Sequence, residues 1–273
     1  MSKPFLSGYS ALKLPIISPD GVPEWPELFP IQKIDELRET VGPRHFSAQM
    51  MLEFISEERA RLDPGALHFY YGDFDSRSAT IKKEFPITGA ACYWDPSGGR
   101  AKADGSVVVL LYRDDASRRA FIHNVLYLDV RDEDAHPLAT QCERVLGFMA
   151  DNGQRIIYIE TNGLGNALPE ILREVAGKRG QGVVVRRVIN HQRKETRILD
   201  AIEPMLTTGR LFANERVRGT PLLAEMLGWT PTGGAGHDDG LDALAGALRA
   251  APIPIRALGQ NLHSLRANTD FKI

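Results

Sequence analysis

Acidic residues in this sequence are spaced so that a metal-assisted hydrolytic site could be assembled from them. They lie at the ends of two predicted strands and at the start of one predicted helix: Asp95, Glu160, and Asp238 with Asp239. Hydrolysis of a phosphodiester needs an activated water and stabilisation of charge on two oxygens, which two divalent ions about 3.5–4 Å apart can supply. Mg²⁺ and Mn²⁺ are hard ions that bind carboxylate oxygens. We therefore treat these four acids as candidate metal ligands and catalytic residues.

Each of these acids also has a purely structural interpretation. Asp95 precedes Pro-Ser-Gly-Gly and could serve only as a turn residue. Asp238 or Asp239 could cap the positive end of a helix. Glu160 is harder to explain in this way, because it directly follows the apolar run Ile-Ile-Tyr-Ile at the point where a buried strand reaches the sheet edge.

Two neighbours of the acids are candidate accessory residues. Asp242 lies four residues after Asp238, so a helix would place both on one face. His237 could orient a carboxylate or assist a metal-bound water, or it could be an ordinary loop histidine.

The elements that would position these residues follow from hydrophobic periodicity and turn signals. The predicted strands are Ile87–Trp94, Ser106–Tyr112, Ala120–Val130, Arg155–Glu160, Gly182–Ile189 and the short Arg210–Ala213. The predicted helices are Leu138–Asp151, Leu164–Lys178, Lys194–Thr207, Pro221–Leu227 and Asp238–Ala250. Three antiparallel strands followed by right-handed parallel crossovers form a mixed five-stranded sheet flanked by helices. This order predicts an α/β fold of the RNase H-like, RuvC-type class.

The chain divides into three segments by composition. Residues 1–65 are proline-rich and then helical over Ile31–Thr40 and Ser47–Leu62, which predicts an arm or linker. Residues 66–251 form the folded domain, and residues 252–273 form a tail.

Bulk composition is uninformative about a partner. The 33 Lys and Arg residues nearly balance the 35 Asp and Glu residues, so nucleic acid would have to bind a local basic patch. No apolar run is long enough to span a membrane, and the N-terminus does not have the pattern of a signal peptide. The two cysteines, Cys92 and Cys142, have no metal-site spacing, which fits a reducing compartment.

The acidic segments resemble the three acidic motifs of the nuclease domain of phage terminase large subunits. They are Trp94–Gly99 (Trp-Asp-Pro-Ser-Gly-Gly), Ile159–Gly163 (Ile-Glu-Thr-Asn-Gly) and His237–Leu244 (His-Asp-Asp-Gly-Leu-Asp-Ala-Leu). Lys194–Ile198 and Thr208–Phe212 are similar to the segment between the second and third motifs. Trp25–Pro30, with Gly42 and Phe46–Gln49, resembles the stretch that joins the ATPase of that family to its nuclease.

This resemblance implies a metal-dependent endonuclease that cuts concatemeric viral DNA in the cytoplasm of a bacterial host. Asp95, Glu160 and one of Asp238 and Asp239, with Asp239 favoured, would bind Mg²⁺ or Mn²⁺ as two ions. The implied partners are double-stranded DNA, a small terminase and a portal protein. The chain has no Gly-x-x-x-x-Gly-Lys-Ser/Thr motif, so we expect a separate ATPase subunit, or an excised nuclease domain.

Basic residues near the predicted strand and helix ends are candidate DNA contacts: Lys194, Arg197, Arg193 and Arg187. Two alternatives stay open. A Holliday-junction resolvase or transposase core would have the same acids. A non-cutting, DNA-binding assembly subunit of the packaging motor would bind DNA without metal-dependent cleavage.

Overall fold

The computed structural model describes residues 13–18, 20–52, 61–97, 105–128, 136–162, 166–231 and 237–255. Its strands are β1 His68–Tyr70, β2 Phe74–Asp75, β3 Thr80–Ile81, β4 Phe85–Pro86, β5 Gly89–Asp95, β6 Ser106–Asp114, β7 Arg119–Leu128, β8 Ile156–Glu160, β9 Val184–Val188, β10 Leu211–Asn214 and β11 Ile253–Pro254. Its α-helices are α1 Ile31–His45, α2 Pro137–Asp151, α3 Leu168–Lys178, α4 Lys194–Thr207, α5 Leu222–Gly228 and α6 Asp239–Arg249. Within these residues, every helix is too short or too polar to cross a bilayer.

The main sheet has the order β1-β10-β7-β6-β5-β8-β9. Strands β5, β6 and β7 form the expected antiparallel meander, and β5, β8 and β9 are parallel. The sheet is larger than the predicted five strands, because β10 and β1 extend it in parallel beyond β7 and β11 pairs with β5. The sequence predicts β10 as the short strand Arg210–Ala213 but not its place in the sheet, whereas β1 and β11 are too short to give a clear periodic signal.

The sheet is buried on both faces, which explains the continuous apolar run in β6. Its odd-numbered residues, Val107, Val109 and Leu111, join a cluster with α4, α5 and α6. Its even-numbered residues, Val108, Leu110 and Tyr112, join a cluster with α2 and α3. We call these two sides the α4/α6 face and the α2/α3 face. Cys92 and Cys142 are buried on the α2/α3 face as free thiols.

Strand β7 contains a bulge at His123. Leu110 of β6 pairs with Asn124 and Leu111 pairs with Ile122, so His123 has no partner in the ladder. The extra residue places Ile122 and Val125 on the same face although they are three positions apart. The ring of His123 is buried on the α2/α3 face, where its Nδ1 lies 2.9 Å from the hydroxyl of Tyr70.

The N-terminal segment has a small cluster of its own: Ile16, Ile17, Ile34 and Phe46. Helix α1 is longer than predicted and packs against α4. The predicted helix Ser47–Leu62 is wrong where the structure describes it. A short π-helical turn ends at Met50, and Leu52 has a left-handed backbone with φ of 56°. Residues 53–60 lie outside the described residues.

The proposed division at residue 65 and the tail after 251 stay predictions. Leu62 belongs to the core under the α4/α6 face, and the first tail residues form β11 on the sheet. The remainder of the predicted tail, from 256, lies outside the described residues.

Candidate metal centre

Two of the candidate acids end neighbouring parallel strands. Tyr93 and Trp94 of β5 pair with Tyr158 and Ile159 of β8, so Asp95 and Glu160 follow at the same level. Since side chains alternate along a strand, both acids point to the side on which Tyr93 and Tyr158 lie, the α4/α6 face. The carboxyl ends of parallel strands meet at one sheet edge, and the acids meet there too.

Helix α6 brings the other acids to the same edge. Asp238 occupies the N-cap position without making a side-chain cap bond, so its carboxylate is not used as a cap. Asp239 is buried and accepts a 2.6 Å hydrogen bond from the backbone N–H of Gly105. Asp242 is also buried, one turn further along the helix.

Two cations from α4 lie among these carboxylates. The Nζ of Lys194 is 2.6 Å from Asp238 Oδ1 and 3.5 Å from Asp239 Oδ1. Arg197, one turn later, donates to Asp242 from Nε at 2.7 Å and lies 3.6 Å from Glu160 Oε1. Five carboxylates and two side-chain cations leave this cluster with a net charge of −3.

The cluster contains more negative than positive side chains, and this excess shifts the pKa values of its members. Burial raises the pKa of Asp95 well above its usual range, and the charges of Asp242 and Glu160 raise it further. Burial also raises the pKa of Asp242, although Arg197 opposes this. Burial alone would lower the pKa of Lys194, yet its hydrogen bond to Asp238 and the surrounding acids raise it above its usual value. The cluster would be stabilised by additional cations.

Glu160 is held by three donors that sequence reasoning missed. Its Oε2 accepts from Asn190 Nδ2 at 2.7 Å and from the Tyr93 hydroxyl at 2.9 Å. Its Oε1 accepts from Asn162 Nδ2 at 3.2 Å. Asn162 and Asn190 follow β8 and β9, and the Asn162 side chain donates to the carbonyl of Asn190 and accepts from its backbone N–H. The available signal was positional, because Asn190 follows the third parallel strand at the same edge as Glu160.

The residues suit a hard divalent ion in their chemistry. The atoms of the five acids that could bind a metal ion are carboxylate oxygens, the ligands that Mg²⁺ and Mn²⁺ prefer. Within the described part of the chain, however, no three His, Cys, Asp or Glu side chains meet closely enough to bind a metal ion together. The side chains of Lys194 and Arg197 lie among the acids instead.

The four predicted DNA contacts do not line one groove. Arg193 is exposed at the start of α4, and Lys194 is half-buried beside the acids. Arg197 is buried, with its guanidinium bonded to Asp242. Arg187 pairs with Ile159, which places it on the α2/α3 face beside Glu170 of α3.

Strand alternation explains why the paired arginines at the end of β9 separate. Arg186, next to Arg187, lies on the acid-bearing face and donates to the Tyr158 hydroxyl at 2.8 Å.

His237 is 86% exposed, and its Nδ1 lies 4.0 Å from Asp239 Oδ2.

Comparison with known families supports the fold. Residues 116–211 match the family described as "Terminase Bacteriophage T7, Ribonuclease H-like domain". The matched segment includes Glu160 and Lys194, whereas Asp95 and Asp239 lie outside it. A search of curated proteins gives no match.

Solved structures with a similar fold include terminase nuclease domains and the T. thermophilus Holliday-junction enzyme RuvC. The P22 large terminase nuclease domain is 12% identical, with 70% of this chain and 87% of that chain covered and a TM-score of 0.47. The nuclease domain of gp2 from bacterial virus Sf6 is 11% identical, with 72% and 100% covered and a TM-score of 0.47. The SPP1 g2p nuclease domain with bound Mn is 13% identical, with 67% and 94% covered and a TM-score of 0.40. Likeness at this level carries no information about chemistry.

The strand order and the family match together define an RNase H-like domain, as the sequence predicts. The family model that matches residues 116–211 is a terminase one, which confirms the resemblance to terminase nuclease domains that the three acidic motifs predict.

Proposed function

We propose that this chain is a metal-dependent DNA endonuclease that cleaves concatemeric viral DNA during genome packaging. The observation that carries the proposal is the convergence of five carboxylates from three elements, with only two side-chain cations among them. A buried acid cluster of this kind destabilises a fold unless cations bind it. The match to the terminase RNase H-like family supplies the reaction class.

Asp95, Glu160 and Asp239 would hold the divalent ion, Mg²⁺ or Mn²⁺, and Asp238 would contribute to a second ion. Such ions supply an activated water and stabilise the charge that develops on the phosphate oxygens. We propose two ions because the acids form two groups, one on the strands and one on α6.

The other residues of the cluster position these ligands. Tyr93, Asn162 and Asn190 fix the orientation of the Glu160 carboxylate. Arg197 is better placed to hold Asp242 and Glu160 apart than to touch DNA, because it is buried. Lys194 and the exposed Arg193 are our proposed contacts to the phosphate beside the acids.

The partners follow from the family. We propose double-stranded DNA as substrate, with a separate terminase ATPase subunit, a small terminase and a portal protein in the assembly. The site of action would be the cytoplasm of a bacterial host.

Incubation with supercoiled plasmid in Mg²⁺, Mn²⁺ or EDTA tests the proposal. We expect nicked and linear products that require metal and that disappear in the Asp95→Asn variant. An Asp151→Asn variant is the matched control, because Asp151 is exposed at the end of α2, away from the acids. It should cut like the parent.

Two results would contradict the proposal. Cleavage that persists in Asp95→Asn would place the activity elsewhere or in a contaminant. Absence of cleavage in both metals, with the ATPase subunit present and the protein folded, would favour a non-cutting assembly subunit. Cleavage confined to four-way junctions would favour a resolvase.

A further inference from the structure

A second charged pocket lies at the other end of the α4/α6 face. Its volume is about 540 Å³, and it is formed by the β6–β7 turn, the second half of α4 and the end of α6. Five arginines contribute to its lining, with Asp115 and Asp200: Arg113, Arg118, Arg119, Arg210 and Arg249. The guanidinium of Arg119 lies on rings of the α2/α3 face, so the other four arginines and the two aspartates give the pocket a formal net charge of +2 in a chain whose total is −2.

The arginines differ in how available they are. Arg113 is paired with Asp115 at 3.4 Å, and the guanidinium of Arg119 stacks on the rings of Phe85 and Phe212. Arg118 is exposed and, among the described residues, makes no ion pair. Arg249 is exposed, and within the part of the chain that the structure describes its guanidinium donates to the neutral side chain of Gln192. Arg118 and Arg249 are therefore the positive charges free to meet a ligand.

Arg118 has a backbone conformation that would suit glycine better. Its φ of 51° places it in the left-handed region, which costs a side-chain-bearing residue roughly 1 kcal/mol. Glycine would remove that cost in a tight hairpin turn. The turn therefore places the Arg118 side chain at the rim of the charged pocket in a conformation that glycine would adopt without strain.

The pocket shares a face with the acid cluster. Arg113 pairs across the ladder with Ala120, which is buried under α4 and α6, so Arg113 points to the same side as Asp95 and Glu160. Asp239 and Arg249 lie at opposite ends of α6, about 15 Å apart at 1.5 Å per residue. One duplex lying along these helices would present phosphates to both places, about four base pairs apart at about 3.4 Å each.

We propose that this arginine pocket is a second binding site for a DNA phosphate, remote from the acids. The inference rests on the proposed function for the identity of the substrate. Arginine forks match phosphate oxygens, and contacts of this kind position a duplex without reading its sequence. The site would hold DNA in register while the acids act on another phosphate of the same molecule.

Fluorescence anisotropy with a labelled random-sequence duplex in EDTA tests the site without requiring cleavage. Each lost phosphate contact should lower the slope of log affinity against log salt by about 0.9. We expect this for Arg118→Gly, although glycine at that turn should make the protein more stable. Arg249→Gln should behave likewise. Arg173→Gln on α3, on the other face, is the matched control and should leave the slope unchanged.

An unchanged slope in both pocket variants would overturn the proposal. A fluorescent ATP analogue and a polyglutamate peptide are tested in parallel. If either binds the pocket without displacing the duplex, the site belongs to a free nucleotide or an acidic protein segment, which also overturns it. A reduced slope in a protein that never cuts DNA would support the site and refute the nuclease, so the two failures are distinguishable.

Discussion

At the residue scale, Glu160 shows how a carboxylate can be fixed before any metal arrives. Its two oxygens accept hydrogen bonds from Tyr93, Asn162 and Asn190, which come from a strand and two loops. Neutral donors orient the carboxylate without removing its charge. Residues in this position commonly affect metal affinity almost as strongly as the ligands themselves.

Replacing Asn190 with alanine should therefore weaken metal use while leaving the fold intact. The variant removes the shortest hydrogen bond to Glu160, 2.7 Å long, from a half-buried loop position. We expect the apparent Mn²⁺ affinity in plasmid nicking to fall about 10–100-fold. The melting temperature should change little. Asn124→Ala, which removes an amide bonded only to Asn152 and to the neighbouring backbone, is the control. Unaltered Mn²⁺ dependence in Asn190→Ala would remove Asn190 from the site.

The acids could be predicted from the sequence, but their neutral and cationic partners could not. Asp95 and Glu160 can be identified in the sequence because each is a charged residue directly after an apolar run. Asn190 and Tyr93 are ordinary in local sequence, and only the pairing of β5, β8 and β9 brings them to Glu160. Arg197 looks like a surface cation from its position near a helix start. The structure buries it because Asp242 faces it from α6.

At the element scale, α6 must lie unusually close to the sheet. It carries glycine or alanine where it meets the strands, and an ideal Cβ on Gly246 would lie 2.3 Å from the ring of Tyr93. An added Cβ on Gly240 would lie 1.9 Å from the hydroxyl of Tyr127. This close approach places Asp239 within hydrogen-bond distance of Gly105 at the end of the sheet.

The variant Gly246→Ala should destabilise the protein even though alanine favours helix. Overpacking costs about 1–3 kcal/mol, against a gain of up to about 1 kcal/mol in helix propensity. Urea unfolding should show a lower free energy of unfolding, and nicking should slow because a displaced Tyr93 no longer holds Glu160. Gly177→Ala in α3 is the control, since nothing lies within 4 Å of its added Cβ. If both variants were equally stable, the tight packing of α6 would be disproved.

The long elements were predictable, whereas the pairing of the short strands in the sheet was not. Strands β5, β6, β8 and β9 and helix α4 follow from periodicity, because each buries enough residues to impose a pattern. The sheet extension by β1, β10 and β11 depends on backbone pairing between distant segments, which leaves no mark on two to four residues.

At the scale of the whole molecule, the α2/α3 face contains a buried titratable group far from the acids. Burial, and then the charge of Arg216, hold the pKa of His123 at about 4, while Asp73 acts in the opposite direction. Its ring lies against Tyr70 and Tyr112. His123 is therefore neutral in the folded protein over most of the pH range.

This group should make stability depend on pH. The unfolded chain takes up the proton below about pH 6.5, and the folded chain only below about 4. The contribution to stability is thus complete above pH 6.5 and is lost as the pH falls to 4, up to about 3 kcal/mol. The free energy of unfolding, measured by urea titration at several pH values, should fall across that window. A His123→Gln variant should have a flatter profile; a parallel one would contradict this assignment.

The bulge at His123 also determines which face of the sheet each residue of β7 points to. Because His123 is the unpaired residue of the bulge, it lets Ile122 and Val125 lie on one face while the numbering between them is odd. Deleting His123 would leave Ile122 and Val125 two positions apart, so an unbroken ladder would keep both on the α4/α6 face and Tyr127 against α6. Deleting two residues at this point would instead turn one half of β7 over. In a reading frame under mutation, β7 can therefore lose this one codon without moving any other side chain to the opposite face, whereas the loss of two codons would reverse half of the strand.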